Sequence, residues 1–144
     1  MIRFRNARQK DFAQIRRIAL KGWLSTYTHI PNKKLRYLVT KYYSEKNLER
    51  SLKNATAGKE LFLVAELNKK IIGFCHVIIR KMKGELVSIY MDLSHAGKGI
   101  GTELLSKCEV FLKRNGYKKY FTFVNKHNKK GLNFYLKNGF IRVK

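Results

Sequence analysis

The spacing of hydrophobic residues along this chain switches repeatedly between that of a strand and that of a helix. A short apolar–polar alternation over residues 2–5 predicts a first strand. Helical spacing then predicts a helix capped by Asp11 whose buried face is Phe12, Ile15, Ile18 and Ala19. Two basic helical segments are expected near 32–41 and 45–57, and the second ends before Gly58.

The middle of the chain is rich in β-branched and aromatic residues. The runs 61–67 and 71–79 flank a polar Asn-Lys-Lys hairpin signal, and residues 86–91 predict the next strand. Further along, the pattern predicts helices over 100–115 and 129–138, a strand over 120–124 and a final strand from Phe140. We therefore expect one α/β domain over residues 1–144, with a mixed sheet flanked by helices.

Three alternate glycines, Gly97, Gly99 and Gly101, lie between the strand over 86–91 and the helix that follows. A glycine-rich turn opening a helix presents unpaired N–H groups at the positive end of the helix dipole, which attracts a phosphate. Lys98 adds a positive charge. The spacing matches neither the dinucleotide fingerprint nor the Walker A loop, so a phosphorylated cofactor of another kind is predicted.

Two segments resemble the motifs of the GNAT N-acetyltransferases. Residues 96–101 are similar to the acetyl-CoA signature Gln/Arg-x-x-Gly-x-Gly/Ala, although Ala96 replaces the Gln or Arg. Residues 128–140 resemble the second motif, Asn-x-x-Ala-x-x-Phe-Tyr-x-x-x-Gly-Phe. The resemblance implies a GNAT-like fold with a mostly antiparallel sheet. It also implies acetyl-CoA as cofactor and acetyl transfer to a primary amine of a small molecule or protein. Because no cysteine lies in a motif arranged for an acyl-enzyme, direct transfer in a ternary complex is expected.

The resemblance also implies roles for particular residues. Tyr135 corresponds to the general acid of the family. A phenol with a pKa of about 10 is protonated at neutral pH and can therefore donate a proton. The main chain of Met91 is a candidate oxyanion donor. The implied cofactor-binding residues are Tyr90, Met91, Gly97, Lys98, Gly99, Ile100, Gly101, Thr102, Asn128 and Tyr135.

The general base and the acceptor side are less defined by the sequence. Glu85 is the catalytic candidate that the resemblance implies, while Gly84-Glu85 also fits an exposed turn. His76 and Asp92 are further candidates for the base. Trp23 and Tyr27 resemble a segment of the PaiA-type spermidine/spermine acetyltransferases. They are expected either to bind the acceptor or to anchor the first helix.

The net charge of the chain affects which binding partners are expected. The chain has 32 Lys and Arg against 9 Asp and Glu, a formal net charge of +23. Such a field attracts polyanions and disfavours a highly cationic acceptor. Two alternatives to an enzyme stay open: a GNAT-fold protein that binds coenzyme A without catalysis, favoured by Ala96, and a basic module that binds nucleic acid or the ribosome.

Other expectations follow from what the sequence lacks. No apolar run is long enough to span a membrane, and the N-terminus has no signal-peptide pattern. Two unpaired-looking cysteines favour a cytoplasmic location, and the four histidines lack metal-ligand spacing. Only four residues follow Phe140, so the final strand of the family sheet is expected to be missing, and a homodimer is one way to cover the exposed edge.

Overall fold

A computed structural model describes residues 1–143 and has a five-stranded sheet at its centre. The strands follow one another across the sheet in chain order. The first four pair antiparallel, and the last pairs parallel to its neighbour. Their bounds are β1 Arg3–Asn6, β2 Glu60–Leu67, β3 Lys70–Arg80, β4 Lys83–Met91 and β5 Tyr120–Phe121. The mixed, mostly antiparallel α/β fold expected from the sequence is confirmed.

Helices cover both faces of the sheet. Their bounds are α1 Phe12–Thr26, α2 Asn32–Tyr42, α3 Glu45–Thr56, α4 Ile100–Arg114 and α5 Lys129–Lys137. On the first face, α1, α2 and α3 bury a core that includes Phe12, Val39 and Phe74. On the second face, α4 and α5 bury Leu104 and Tyr135 against the sheet. The two faces therefore have separate cores, with the sheet between them.

Two tight hairpins connect the central strands. Asn68 and Lys69, with φ of 50° and 67°, turn the chain between β2 and β3, as the polar signal there predicts. Lys81 and Met82, with φ of 41° and 71°, turn it between β3 and β4. The sequence does not reveal this second turn, because neither residue is glycine, asparagine or aspartate. As a result β4 begins at Lys83, and Glu85 lies inside a strand rather than in an exposed turn.

Three local predictions are wrong. The strand expected over 120–124 is only two residues long, because the Thr122 hydroxyl, and not a main-chain N–H, donates to the carbonyl of Leu86. Residues 140–143 form no strand. Asp11 precedes α1 but makes no side-chain cap, since its carboxylate accepts instead from the Arg5 guanidinium and the Arg8 N–H.

Candidate active site

An opening in the sheet lies between β4 and β5. The two strands pair only at Gly84 with Tyr120 and at Glu85 with Phe121. The Thr122 hydroxyl donates to the Leu86 carbonyl at 2.8 Å, and beyond this point β4 continues to Met91 without a strand partner on that side. Its free main-chain groups can hydrogen-bond an extended ligand that enters the opening.

A β-bulge in β4 stands at the same place. Val77 pairs with Leu86 and His76 pairs with Ser88, which leaves Val87 as an extra residue. Bulges bend a strand and redirect its side chains, and they are frequent beside active sites. The bulge therefore marks the point where β4 turns away from β5.

The glycine loop lies between the end of β4 and α4. Gly97 and Gly99 have φ of 83° and 80°, a left-handed conformation that other L-residues adopt at a cost, and Gly99 is the N-cap of α4. A Cβ at either position would meet nothing within 4 Å. Lys98 and Thr102 are exposed beside them. The loop thus leaves the N-terminal amides of a 15-residue helix open to an anion.

Asp92 stabilises the segment that leads into this loop. Its Oδ1 accepts hydrogen bonds from the main-chain N–H and the hydroxyl of Ser94, at 3.2 and 3.0 Å. Burial of the Asp92 carboxyl favours its neutral form, but the bonds from Ser94 and the charges of Lys21 and Lys70 outweigh burial and lower its pKa. Asp92 therefore positions the loop.

Gly101 differs from the other two glycines because its role is close packing. A Cβ there would lie 2.4 Å from Cε of Met91 and 3.1 Å from the Phe134 ring. Gly101 and Ile100 are both buried. The missing side chain lets the first turn of α4 approach the end of β4 and helix α5. The cofactor-binding residues expected on these three elements are therefore brought together.

Helix α5 places Tyr135 beside the opening. Asn128 caps the helix, with its Oδ1 accepting from the Gly131 N–H at 2.9 Å. Tyr135 is 9% exposed and packs between Phe134 and Phe140. Burial raises the pKa of Tyr135 to about 12, and an interaction with the Thr122 side chain partly offsets this rise. The phenol thus keeps its proton near the point where β4 and β5 diverge.

A cleft of about 600 Å³ opens on the other face of the sheet, between α1, α3 and the central strands. We call it the acceptor cleft because Trp23, which the sequence suggests as an acceptor-binding residue, lines it. Its lining includes Trp23, Tyr42, Tyr43, Arg50, Glu60, His76, Arg80, Val87, Ser88 and Tyr90. The Trp23 indole donates to the Tyr90 hydroxyl at 2.7 Å, and Tyr27 supports the Trp23 ring at 6.1 Å between ring centroids. Trp23 therefore both anchors α1 and lines the cleft.

Two carboxylates are held by neighbouring side chains: Glu60 lines the cleft, and Glu85 is paired with Arg80, a lining residue. Glu85, 14% exposed, accepts from Nε of Arg80 at 2.7 Å. Glu60 lies beside His76, a pair that no sequence motif predicted, with 2.5 Å between Oε1 and Nε2. In the sequence, Glu60 differs from its surroundings only in that it borders an apolar strand, and His76 only in that it interrupts one. The pair joins residues 16 positions apart, and sequence spacing alone does not reveal such contacts.

Other features of residues 1–143 bear on cofactors and location. In this part of the chain no three His, Cys, Asp or Glu residues are grouped to hold a metal ion. Over the same residues, no helix has the length and apolar character needed to cross a membrane. Cys75 and Cys108 are free and buried in the core beneath Tyr135.

Comparisons with known proteins agree with this geometry. Residues 13–140 match the acetyltransferase (GNAT) family. The spermidine N1-acetyltransferase of Thermoplasma acidophilum is 30% identical over 141 residues, which cover 96% of this chain and 88% of that protein. The crystal structure of the PaiA N-acetyltransferase from T. acidophilum in complex with coenzyme A superposes with a TM-score of 0.92 and 28% identity. The match covers 98% of this chain and 90% of that one.

A more distant structure shows the same fold. A GNAT-family acetyltransferase from Staphylococcus aureus has a TM-score of 0.80 at 18% identity, covering 100% of this chain and 87% of that one. The family match spans most of the chain, and the Thermoplasma relative aligns with nearly all of it. The chain therefore belongs to the acetyltransferase (GNAT) family and is an acetyl-CoA-dependent N-acetyltransferase.

Proposed function

We propose that this protein transfers the acetyl group of acetyl-CoA directly to a primary amine, within a ternary complex of enzyme, cofactor and acceptor. The observation that carries the proposal is the opening between β4 and β5, which has the glycine loop at one end and Tyr135 on one face. The acceptor cleft lies on the opposite face. The leaving thiol and the attacking amine can therefore approach the same bond from two sides.

Cofactor binding is assigned to main-chain groups. The amides from Gly97 to Thr102 would hold the pyrophosphate, and Lys98 would add a mobile charge. The unpaired edge of β4 at Tyr90 and Met91 would hold the pantetheine arm. The side-chain NH₂ of Asn128 is a further contact, since its Oδ1 already caps α5. Bound acetyl-CoA supplies an activated thioester, and the protein supplies its placement.

Three groups of the chain act on the reacting atoms. The Met91 N–H is proposed to stabilise charge on the carbonyl oxygen. Tyr135 gives its proton to the departing thiolate, which its buried, protonated phenol suits. Glu85 is the candidate base that the family resemblance implies, and its ion pair with Arg80 gives it an alternative role in fixing the end of the cleft. Glu85→Gln measures which role applies.

Direct transfer is favoured by the position of the thiols. Cys75 and Cys108 both have 0% exposure and lie in the core with α4, so neither can form an acyl-enzyme with a ligand in the cleft.

The acceptor is proposed to be an amine because a relative that aligns along nearly the whole chain is a spermidine N1-acetyltransferase. Spermidine is therefore the first acceptor to test, although the net charge of +23 favours less cationic amines.

The experiment is a calorimetric titration of acetyl-CoA at physiological salt, with ATP and a short RNA as matched anions. One-site binding of acetyl-CoA that greatly exceeds both anions supports the cofactor site. Release of coenzyme A thiol is then measured with spermidine, butane-1,4-diamine, n-butylamine and a lysine peptide. Tight cofactor binding without turnover of any amine would favour a silent coenzyme A-binding protein, the alternative that Ala96 suggests.

A further inference from the structure

Glu60 and His76 form a largely buried pair in the acceptor cleft, on the face of the sheet opposite Tyr135. Glu60 is the first residue of β2, and His76 lies on β3 beside it. One oxygen of Glu60 lies 2.5 Å from His76 Nε2, and the other accepts from the Asn54 amide at 2.6 Å. The two side chains are only 7% and 12% exposed. This pair is a fixed constellation and not a surface contact.

The surroundings of Glu60 keep it charged. Burial of the Glu60 carboxyl favours its neutral form, but hydrogen bonds from His76, Asn54 and Ser51 outweigh burial, so its pKa is lowered. With its oxygens already engaged, this carboxylate has little surface left for a ligand. Glu60 therefore acts on a bound molecule through His76.

The contacts of the His76 imidazole determine which of its nitrogens can accept a proton. When Nε2–H donates to Glu60, Nδ1 is left as the nitrogen that can accept a proton. Phe62 stacks on the ring at 4.8 Å between centroids, with planes at 24°, and so fixes its plane. In the sheet, His76 is paired with Ser88 beside the Val87 bulge. The imidazole thus stands on the acceptor face at the point where β4 leaves β5.

We propose that His76 is the catalytic base that takes the proton from the acceptor ammonium, and that Glu60 is its positioning residue. This inference rests on the proposed amine acetylation. The ammonium first gives one proton to His76, and the free amine then forms the N–C bond as the C–S bond breaks. Tyr135 protonates the thiolate and recovers a proton from the nitrogen. His76 releases its proton to solvent, so one proton is produced per turnover.

Several charged and titratable groups surround His76. Arg80 is paired with Glu85, which leaves Glu60 as the carboxylate in direct contact with the imidazole. The other such groups that line the cleft are Arg50 from α3, Arg80 on β3, and the Tyr42, Tyr43 and Tyr90 phenols. Glu60 is therefore the group whose removal tests the positioning of the imidazole.

The test compares His76→Ala, Glu60→Gln and Glu85→Gln with Glu49→Gln, an exposed glutamate of α3, as the matched control. Acetyl-CoA affinity is measured first, because it reports folding and the cofactor site. Then kcat/KM is measured from pH 5 to 9 with the best amine of the panel, spermidine first. Free imidazole is added to His76→Ala, because it can restore a missing base but not a missing packing contact.

The expected result is a loss of about 100-fold in kcat/KM for His76→Ala with acetyl-CoA affinity unchanged and partial recovery with imidazole. In Glu60→Gln we expect kcat to fall while KM for the amine stays unchanged, because the imidazole loses the carboxylate that orients it. If His76→Ala does not bind acetyl-CoA, His76→Gln takes its place. Activity within threefold of wild type in the folded histidine variant, or an unchanged kcat in Glu60→Gln, overturns the proposal.

The same data separate this inference from the proposed function. A wild-type protein that binds acetyl-CoA but acetylates none of the amines contradicts amine acetylation itself, before any variant is compared. An active wild type in which Glu85→Gln abolishes turnover and the histidine variant retains it contradicts only the assignment to His76.

Discussion

The proposed cofactor side and the proposed acceptor side of this protein are built in different ways. The cofactor side is mostly main chain from one continuous stretch, the end of β4, the glycine loop and the start of α4, with α5 packed against it. The acceptor cleft is made of side chains from α1, α3, β2, β3 and β4. A site built from main chain depends on where glycines occur, whereas a site built from side chains depends on tertiary contacts.

Because of this difference, the two sides have different structural requirements. Binding a pyrophosphate needs a fixed set of N–H groups. At the proposed site these are the N-terminal amides of α4, which follow the left-handed N-cap Gly99. Recognising and deprotonating an amine needs particular side chains whose positions the sheet fixes, as it does for His76 and Ser88. Substitutions on the two sides should therefore affect different kinetic constants.

The largest expected effect comes from Tyr135, the cofactor-side residue that is proposed to act as the general acid. Tyr135→Phe removes the phenol proton and leaves the ring, which is 9% exposed, in its packing. We expect kcat to fall about 100-fold because general acid catalysis contributes at least that much, while acetyl-CoA affinity stays the same. Steady-state kinetics and calorimetry measure the two quantities.

The pH dependence provides a check on this role. Because burial raises the pKa of Tyr135 to about 12, the wild type should lose no activity through this phenol up to about pH 10. Tyr117→Phe, a partly buried tyrosine just after α4, is the control and should retain full activity. Unchanged kcat in Tyr135→Phe would show that the thiolate obtains its proton elsewhere.

The next prediction tests whether the glycine loop matters for its conformation. Gly99→Ala places a side chain at φ 80°, which costs about 1–2 kcal/mol and distorts the N-terminus of α4. We expect acetyl-CoA to bind about tenfold more weakly, the equivalent of about 1.4 kcal/mol. Calorimetry measures the change.

Gly116 is the matched control at the other end of α4. It has φ of 85° and, like Gly99, has open space where a Cβ would lie, with no atoms within 4 Å. Gly116→Ala should lower the melting temperature of the protein about as much as Gly99→Ala does, but it should not change acetyl-CoA affinity. Equal losses of affinity in both variants would mean that α4 stability, and not the loop, controls binding.

A smaller effect is expected on the acceptor side alone. Trp23→Phe removes the indole N–H that donates to the Tyr90 hydroxyl at 2.7 Å. The hydroxyl loses its partner, which costs about 1 kcal/mol, so kcat/KM for the amine should fall about fivefold with acetyl-CoA affinity unchanged. A double-mutant cycle with Tyr90→Phe checks the cause, because the two losses should not add if the hydrogen bond is responsible.

The same contrast explains how much the sequence could predict. The glycine turn before α4 and the buried face of α1 are local patterns, the fold class follows from the order of such patterns, and the structure agrees with them. The short β5 and the pairing of Glu60 with His76 could not be predicted, because each depends on contacts between distant segments. The turn at Lys81 and Met82 has no sequence signal because neither residue favours a positive φ.

The smallest expected effect concerns charge at the glycine loop. Lys98 is exposed, and the protein already carries a net charge of +23, so removing one charge beside a helix N-terminus should cost about 0.3–1 kcal/mol. Lys98→Ala should therefore weaken acetyl-CoA binding about threefold at low salt, and less at about 0.5 M salt because of screening. Lys113→Ala, at the opposite end of α4, keeps the same change in net charge and should bind normally. If both lysine variants weaken binding equally, the overall field of the protein attracts the cofactor, and the loop owes its contribution to main-chain amides alone.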